Sequence, residues 1–136
     1  MDALSSVLKS VRLEGAVFLD AEFSAPWCMR GRYGHTSIQQ QLDGAEHVVL
    51  FHFLTEGACR VRLAEGGDAI DVKAGDLILF PQDDRHLMGS DLNVAPLEAD
   101  NLIDAAAAVA ADPDFVPIRH GGGGDRTRFV CGYLAC

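Results

Sequence analysis

Two histidines and two cysteines are the residues of this sequence best suited to metal chemistry, and each lies in a stretch that predicts a β-strand. They are His52, Cys59, His86 and Cys131. Two thiolates and two imidazoles suit tetrahedral zinc, the usual geometry of structural zinc sites. No pair of cysteines has the C-x-x-C spacing, so the strong zinc and redox signatures are missing. Zinc is therefore one interpretation of these four residues.

Strand alternation favours a plainer interpretation of the same residues. His52 has the opposite parity to its two phenylalanine neighbours, so we expect it to face the other side of the sheet from His86. Cys59 joins such a cluster only if Gly57 forms a bulge. Unpaired cysteines are commonly small buried core residues. We therefore prefer buried core cysteines and a hydrogen-bonded sheet histidine, and keep zinc as the alternative.

Short β-strands would position these residues. Alternation, β-branched residues and glycine-rich turns predict strands over residues 16–23, 47–54, 59–63, 69–72, 77–80, 86–88, 116–119 and 127–134. Many short strands at this spacing are typical of a β-sandwich or a β-barrel. The sequence therefore predicts an all-β fold.

Two segments have the pattern of a helix. Near the N-terminus, apolar residues recur at i, i+3, i+4 and i+7, namely Leu4, Val7, Leu8 and Val11. Residues 100–112 are alanine-rich, begin with an aspartate and precede Pro113, as expected of a late helical insertion. There is no repeat and no linker, so residues 1–136 form a single predicted domain.

The charge and the termini exclude several classes of function. The formal net charge is -9, whereas a nucleic-acid surface requires a basic stripe, so we expect no direct DNA contact from this chain. No apolar run of about 18 residues predicts a membrane span, and the N-terminus lacks the pattern of a signal peptide. The four cysteines are then expected to be reduced thiols of a cytoplasmic protein.

The stretch from Gly75 to His86 resembles the second motif of the cupins, G-x5-P-x-G-x2-H. Gly75, Pro81 and His86 match the motif, and Asp83 replaces its inner glycine. The preceding FLTEG segment resembles the V-L-E-G step found about two strands earlier in that family. This resemblance implies a cupin double-stranded β-helix barrel with a short N-terminal helix and one late helical insertion. In such a barrel His86 would point into the cavity.

Three longer stretches resemble the sensor domain of AraC-type transcription regulators. They are DALSSVLKSVRLEGAVF, FHFLTEGACRVRL and RHGGGGDRTRFVCGYL. The resemblance implies a domain that senses a small-molecule effector and forms a homodimer. It also implies that the chain is the N-terminal part of a longer regulator, in which a separate helix-turn-helix part contacts DNA.

The resemblance to metal-dependent cupins is weaker at their first motif, H-x-H-x3–4-E. Only His47 falls in the expected histidine pair, and Val49 falls where the glutamate would lie. Iron or manganese chemistry commonly requires two histidines and a carboxylate. We therefore expect no catalytic cofactor, and a metal-dependent dioxygenase or isomerase is the alternative to a sensor.

Ligand-binding candidates follow from the position of the motif histidine in the predicted barrel. Ligand cavities are mostly apolar with a few polar anchors. The candidates are His86, His52, Trp27, Phe51 and Phe53. Trp27 is expected either to line the mouth of the cavity or to cap one end of the barrel.

Overall fold

A computed structural model of the protein describes residues 14–31, 48–81, 84–112 and 115–135, in which ten strands and one helix are found. The strands are β1 Glu14–Ser24, β2 Cys28–Gly31, β3 Val48–Glu56, β4 Ala58–Leu63, β5 Ile70–Lys73, β6 Leu77–Phe80, β7 His86–Gly89, β8 Leu97–Glu98, β9 Val116–Gly121 and β10 Arg126–Ala135. The helix, α1, spans Ala99–Ala107.

The strands form two five-stranded sheets that enclose one core. The first sheet has the order β6-β3-β10-β1-β9, and the second has the order β5-β4-β7-β2-β8. The pairs β1–β9 and β2–β8 are parallel, and the other pairs are antiparallel. The prediction of an all-β barrel is confirmed.

Alternation along β1 and β10 supplies much of the core. Ala21 and Phe23 on β1 are buried beside Phe129 and Cys131 on β10. The pairing of the two strands shifts between Val17 and Leu19, which is a β-bulge. A bulge changes which side of a sheet the following residues face.

Glycines with positive φ allow two turns, one at the start of the cupin-like motif and one before it. Gly75 has φ of 96° in the turn between β5 and β6, where the Asp76 carboxylate accepts a 2.9 Å hydrogen bond from the Lys73 amide. Gly57, with φ of 79°, links β3 to β4, and a Cβ there would lie 2.3 Å from the Arg126 carbonyl oxygen. Gly57 therefore joins the two sheets and does not form a bulge within a strand.

Helix α1 closes one end of the barrel with one apolar face. Its apolar residues recur with helical spacing and pack on the core, namely Ala99, Leu102, Ile103, Ala106 and Ala107. The helix lies close to β2, since a Cβ on Gly31 would lie 2.8 Å from the Cβ of Ala99. The ion pair between Arg30 on β2 and Glu98 joins β2 to the residue that directly precedes the helix. The predicted insertion over residues 100–112 is thus a helix, although it ends at Ala107.

Two predicted features lie outside the described residues, and two observed strands were not predicted. The N-terminal helix and His47, the histidine compared with the first cupin motif, are in the first group. Strands β2 and β8 are in the second group, because the four residues of β2 do not alternate and β8 has only two residues. None of the helices in the described part of the chain is long and apolar enough to span a membrane.

Candidate functional site

Three of the four predicted chemical side chains meet inside the barrel. His52 on β3 lies between Cys131 on the neighbouring strand β10 and His86 at the start of β7. The His52 Nδ1 atom is 2.6 Å from the Cys131 Sγ atom, and the two histidine Nε2 atoms are 2.9 Å apart. All three side chains are buried. Because the Cys131 thiol contacts His52 and His52 contacts His86, we call these three residues the imidazole–thiol chain.

The expected separation of His52 from His86 is wrong. Both side chains face the interior, because β3 and β7 belong to different sheets that face each other across the core. Strand parity predicts which residues share a face only within one strand and its own sheet. When two sheets enclose one cavity, inward residues from both meet there.

Hydrogen-bond donors and acceptors along this chain can be assigned from its end. The His86 Nδ1 atom is 3.0 Å from the backbone oxygen of Asp84, which can only accept, so Nδ1 carries the proton. In a neutral ring the His86 Nε2 atom then accepts from the His52 Nε2–H group, and the His52 Nδ1 atom accepts from the Cys131 S–H group. Each group therefore has a partner when all three side chains are neutral.

Burial keeps these groups neutral at ordinary pH. It lowers the pKa of His52 well below its usual value of 6.5, and the neighbouring His86 lowers it further. Burial also lowers the pKa of His86, although the hydrogen bond to the Asp84 backbone opposes that effect. The pKa of the Cys131 thiol is raised well above its usual value by burial. A thiolate–imidazolium pair is therefore disfavoured here.

Aromatic rings fix the orientation of the two imidazoles. The Phe80 ring stacks on the His86 ring with 3.9 Å between centroids and 12° between planes. Phe80 and Phe129 approach His52 edge-on, at 5.9 Å and 5.7 Å between centroids. These contacts surround the polar atoms with apolar surface, which is the cause of the pKa shifts.

A small cavity adjoins the imidazole–thiol chain. Its volume is about 30 Å³, and it lies between both sheets and helix α1. Besides the three polar side chains it is lined by Phe18, Leu19, Met29, Gly31, Leu50, Ala99 and Ile103. A cavity of this size holds about two water molecules, whereas a drug-sized ligand requires about 300 Å³ or more.

The donors of this site do not fit the iron or manganese centre that the fold family implies. Such a centre requires two histidines and a carboxylate, and the cavity lining includes no carboxylate. The two nitrogens of His52 point away from each other, so one ion cannot bind both His52 and its two neighbours in the observed arrangement. Among the described residues no group of three or more histidine, cysteine or acidic side chains could hold a metal ion.

Cys59 lies apart from the imidazole–thiol chain. It is buried on β4 opposite Val72, in the second sheet, and it does not line the cavity. Burial raises the pKa of its thiol to about 12. The structure therefore joins three members of the predicted zinc set and leaves the fourth in the apolar core.

The three aromatic ligand-binding candidates do not line this cavity. Phe53 lies on the outer face of the first sheet, and the Phe51 ring lies over Gly132 on that same face. Trp27 is buried beside the aromatic core, where it stacks on Phe23 at 4.5 Å between centroids. Its indole nitrogen has no hydrogen-bond partner within the described ranges. A ligand contact by these residues stays a prediction without support from their position.

Several residues that shape the site were not predicted. Phe80 had a usable signal, because it ends the apolar run that precedes the motif proline and lies on the same buried face of β6 as Ile78. Leu19 and Ile103 had no such signal, because a bulge on β1 and the docking of helix α1 bring them to the cavity.

A second and larger depression lies at the opposite end of the first sheet. It is an open groove of about 1130 Å³ beside Glu22, Glu56 and Arg126. These side chains pair with one another, since Arg126 contacts both glutamates at 3.5 Å and 3.0 Å. Because Arg126 and the two glutamates already pair with one another, this groove has weaker signs of a site than the buried chain.

Comparison with known families agrees with this architecture. Residues 2–136 match a family model described as cupin, and the chain therefore belongs to the cupin family. No curated protein matches the chain significantly.

Proposed function

We propose that this cupin domain is the effector-sensing domain of an AraC-type transcription regulator and that its effector binds beside the imidazole–thiol chain. The resemblance of three sequence stretches to that sensor domain supports the regulator class. The donor set of the inner site supports sensing over catalysis and is the single observation that carries the proposal. Two neutral imidazoles and a thiol offer hydrogen bonds without the carboxylate that a typical cupin metal centre uses.

The size of the cavity defines how the sensor would respond. In the described conformation the space beside His86 is about 30 Å³, too small for most metabolites. A ligand shifts a conformational equilibrium only when it binds one state more tightly than another. We infer that the effector binds a state in which helix α1 has moved from the cavity, because Ala99 and Ile103 form its cover.

The polar atoms of the chain would then change partners when the effector binds. A ligand group that accepts a hydrogen bond could replace His86 as the acceptor for His52 Nε2–H, and a donor could bind to the freed His86 Nε2 atom. The effector class is therefore a small molecule with an apolar body and one or two hydrogen-bonding groups. DNA contact and a cytoplasmic location belong to the regulator proposal as well.

Ligand-dependent thermal unfolding tests the location of the binding site. The wild-type protein is screened against small molecules that have an apolar body and one or two hydrogen-bonding groups, and a binder at a hundred times its dissociation constant is expected to stabilise the fold by about 2.7 kcal/mol. His86→Leu should remove that stabilisation, because it removes a polar atom from the cavity. His120→Leu is the matched control, since His120 is exposed on β9.

Two results would contradict the sensor proposal. One is a stabilising compound whose effect survives in His86→Leu. The other is elemental analysis that finds about one equivalent of iron or manganese together with turnover, which would favour the enzyme alternative. About one equivalent of zinc whose removal by a chelator lowers the unfolding temperature would favour the zinc-stabilised module.

The regulator class has its own test. The coding sequence beyond Cys136 is expected to encode two helix-turn-helix motifs, and the full regulator is expected to bind DNA with an affinity that the effector changes. DNA binding that is the same with and without a stabilising ligand would overturn the sensing role.

A further inference from the structure

The hydrogen bonds of the imidazole–thiol chain run in a single direction. The series starts at the Cys131 S–H group, passes through His52 and His86, and ends at the backbone oxygen of Asp84. That oxygen can only accept, so it fixes the direction for every group before it. Between the two imidazoles there is therefore one N–H donor, on His52, and one lone pair, on His86.

A ligand group that enters between these two rings has to replace both halves of their hydrogen bond. It must accept from the His52 Nε2–H group and donate to the His86 Nε2 atom. A hydroxyl does both through one oxygen, because it carries one proton and two lone pairs. An ether or a ketone only accepts and leaves the His86 lone pair unpaired, whereas an ammonium group only donates and leaves the His52 N–H group unpaired.

A hydroxyl also requires the smallest displacement of the rings. The Nε2 atoms of His52 and His86 are 2.9 Å apart. Two hydrogen bonds of about 2.8 Å that meet at a tetrahedral oxygen span about 4.5 Å, so the two nitrogens would separate by roughly 1.6 Å. A primary amide or a protonated carboxyl group accepts and donates through two different atoms, and it therefore needs a wider gap.

The surroundings of the two rings favour an uncharged group. Besides the imidazole–thiol chain, the described residues that line the adjoining cavity are Gly31 and apolar residues. Burial lowers the pKa of both histidines, so neither ring supplies a positive charge at neutral pH. A buried carboxylate or ammonium group without an opposite charge costs far more free energy than an uncharged polar group.

The cavity gives a hydroxyl access to both nitrogen atoms. His52 and His86 both contribute to its lining, together with apolar residues such as Leu50 and Ile103. Its volume of about 30 Å³ is enough for a hydroxyl group, since a water molecule needs about 10–15 Å³ of such space, but not for a carbon skeleton. The cavity therefore has room for the recognition group, whereas the apolar body of the ligand needs the movement of helix α1.

We propose that the effector is an uncharged alcohol or phenol and that its hydroxyl oxygen inserts between the Nε2 atoms of His52 and His86. This inference rests on the proposed sensing site and adds the chemical class that the site recognises. Insertion preserves the direction of the hydrogen bonds, because His52 donates to the hydroxyl and the hydroxyl donates to His86. A ligand with an ether or a carboxylate in that position forms at most one of these two bonds.

Calorimetric binding of five compounds of similar size tests this class: phenol, cyclohexanol, anisole, aniline and benzoate. At neutral pH the tighter of phenol and cyclohexanol should bind the wild-type protein at least about tenfold more tightly than any of the other three, because those leave a buried polar atom unpaired. His86→Leu should abolish the preference for phenol over anisole, because it removes the acceptor. His120→Leu, at an exposed position on β9, should keep that preference.

If His86→Leu does not fold, nitrogen NMR of the wild-type protein decides: phenol should shift the Nε2 resonances of His52 and His86 and leave those of His120 unchanged. Equal binding of phenol and anisole, tighter binding of aniline or benzoate, or no response to any of the five compounds would overturn the hydroxyl class. The proposed site would stand without that class if His86→Leu removed the binding of a compound that has no hydroxyl. A preference for phenol that His86→Leu leaves unchanged would overturn the inserted position and the proposed site together.

Discussion

The two halves of the barrel interior are built on different principles. Towards the open groove, Phe23 stacks on Trp27 and on Phe129, with centroids 4.5 Å and 5.7 Å apart. Towards helix α1, the imidazole–thiol chain occupies the same interior, beside a cavity of about 30 Å³. We call these regions the aromatic half and the polar half.

The comparison indicates that the aromatic half stabilises the fold and that the polar half is where a ligand could bind. Apolar stacking gains free energy from every ring that it buries and offers a ligand no hydrogen bond. The polar half contributes little net free energy through its hydrogen bonds, because each replaces a bond to water. It does hold polar atoms that a ligand can use, next to helix α1, whose Ala99 and Ile103 line the cavity. Substitutions should therefore act mainly on stability in the aromatic half and on chemistry in the polar half.

The largest expected effect is the loss of an aromatic ring. Phe129→Ala should lower the free energy of unfolding by about 3–5 kcal/mol, because it removes buried surface and leaves a cavity beside Phe23 and Trp27. Urea unfolding measures the loss. Phe53→Ala on the outer face is the control, expected to lose much less. Equal losses at the two positions would show that the aromatic half is not the stabilising region.

Substitution of His52, in the middle of the polar half, should also lower stability, but for a different reason. His52→Leu leaves the Cys131 S–H group and the His86 Nε2 atom without partners, which should cost about 1–3 kcal/mol. In a protein that already carries His52→Leu, the further loss of stability caused by His86→Leu should be smaller than the loss that His86→Leu causes in the wild-type protein. The reason is that the second substitution removes the unpaired His86 Nε2 atom. His120→Leu at the exposed position should change stability by about 0.5 kcal/mol or less. Strict additivity of the two core substitutions would contradict the assigned hydrogen bonds.

Acid should destabilise the polar half. The pKa values of His52 and His86 are lower in the folded protein than the usual 6.5, so below about pH 6.5 the unfolded chain binds protons that the folded protein does not. Stability is then fully present above that pH and falls as pH falls towards the folded-state pKa values, by up to about 1.4 kcal/mol per pH unit for each histidine. Urea unfolding at pH values from about 7.5 to about 5.5, on either side of the usual histidine pKa of about 6.5, measures this loss of stability.

The same pH series in His52→Leu isolates the histidine contribution from that of the carboxylates. The free energy of unfolding should fall less steeply with decreasing pH in this variant than in the wild-type protein. The difference in slope should correspond to about one bound proton, because the variant keeps one buried histidine instead of two. A variant with the wild-type slope would mean that other groups cause the acid sensitivity.

The smallest expected effect compares the two buried thiols of this interior. In Cys131→Ser the hydroxyl can donate to His52 Nδ1, as the thiol does. In Cys59→Ser it is buried where no hydrogen-bond partner is found among the described residues. Cys59→Ser should therefore be the more destabilising by about 1 kcal/mol. Urea unfolding of both variants measures the difference, and the reverse order would contradict the donor role of Cys131.

Local sequence signals were sufficient for most of the fold. The strands with four or more alternating residues, the turn at Gly75 and the late helix follow from residue type and spacing, because each depends on neighbours in sequence. Alternation also determines that His52 and Phe53 face opposite sides of β3. The ligand-binding candidates nevertheless included both residues, and the structure follows the alternation, because His52 lines the cavity and Phe53 does not.

The sequence by itself determined which side chains could do chemistry, namely the histidines and cysteines of an all-β chain, and which of them alternate to one face. Only the tertiary structure decided that His52 meets His86, that Cys131 joins them and that Cys59 does not. The physical reason is that these contacts cross between two sheets and between strands far apart in the chain. Closure of the sheets and the docking of helix α1, which no local pattern records, set those distances.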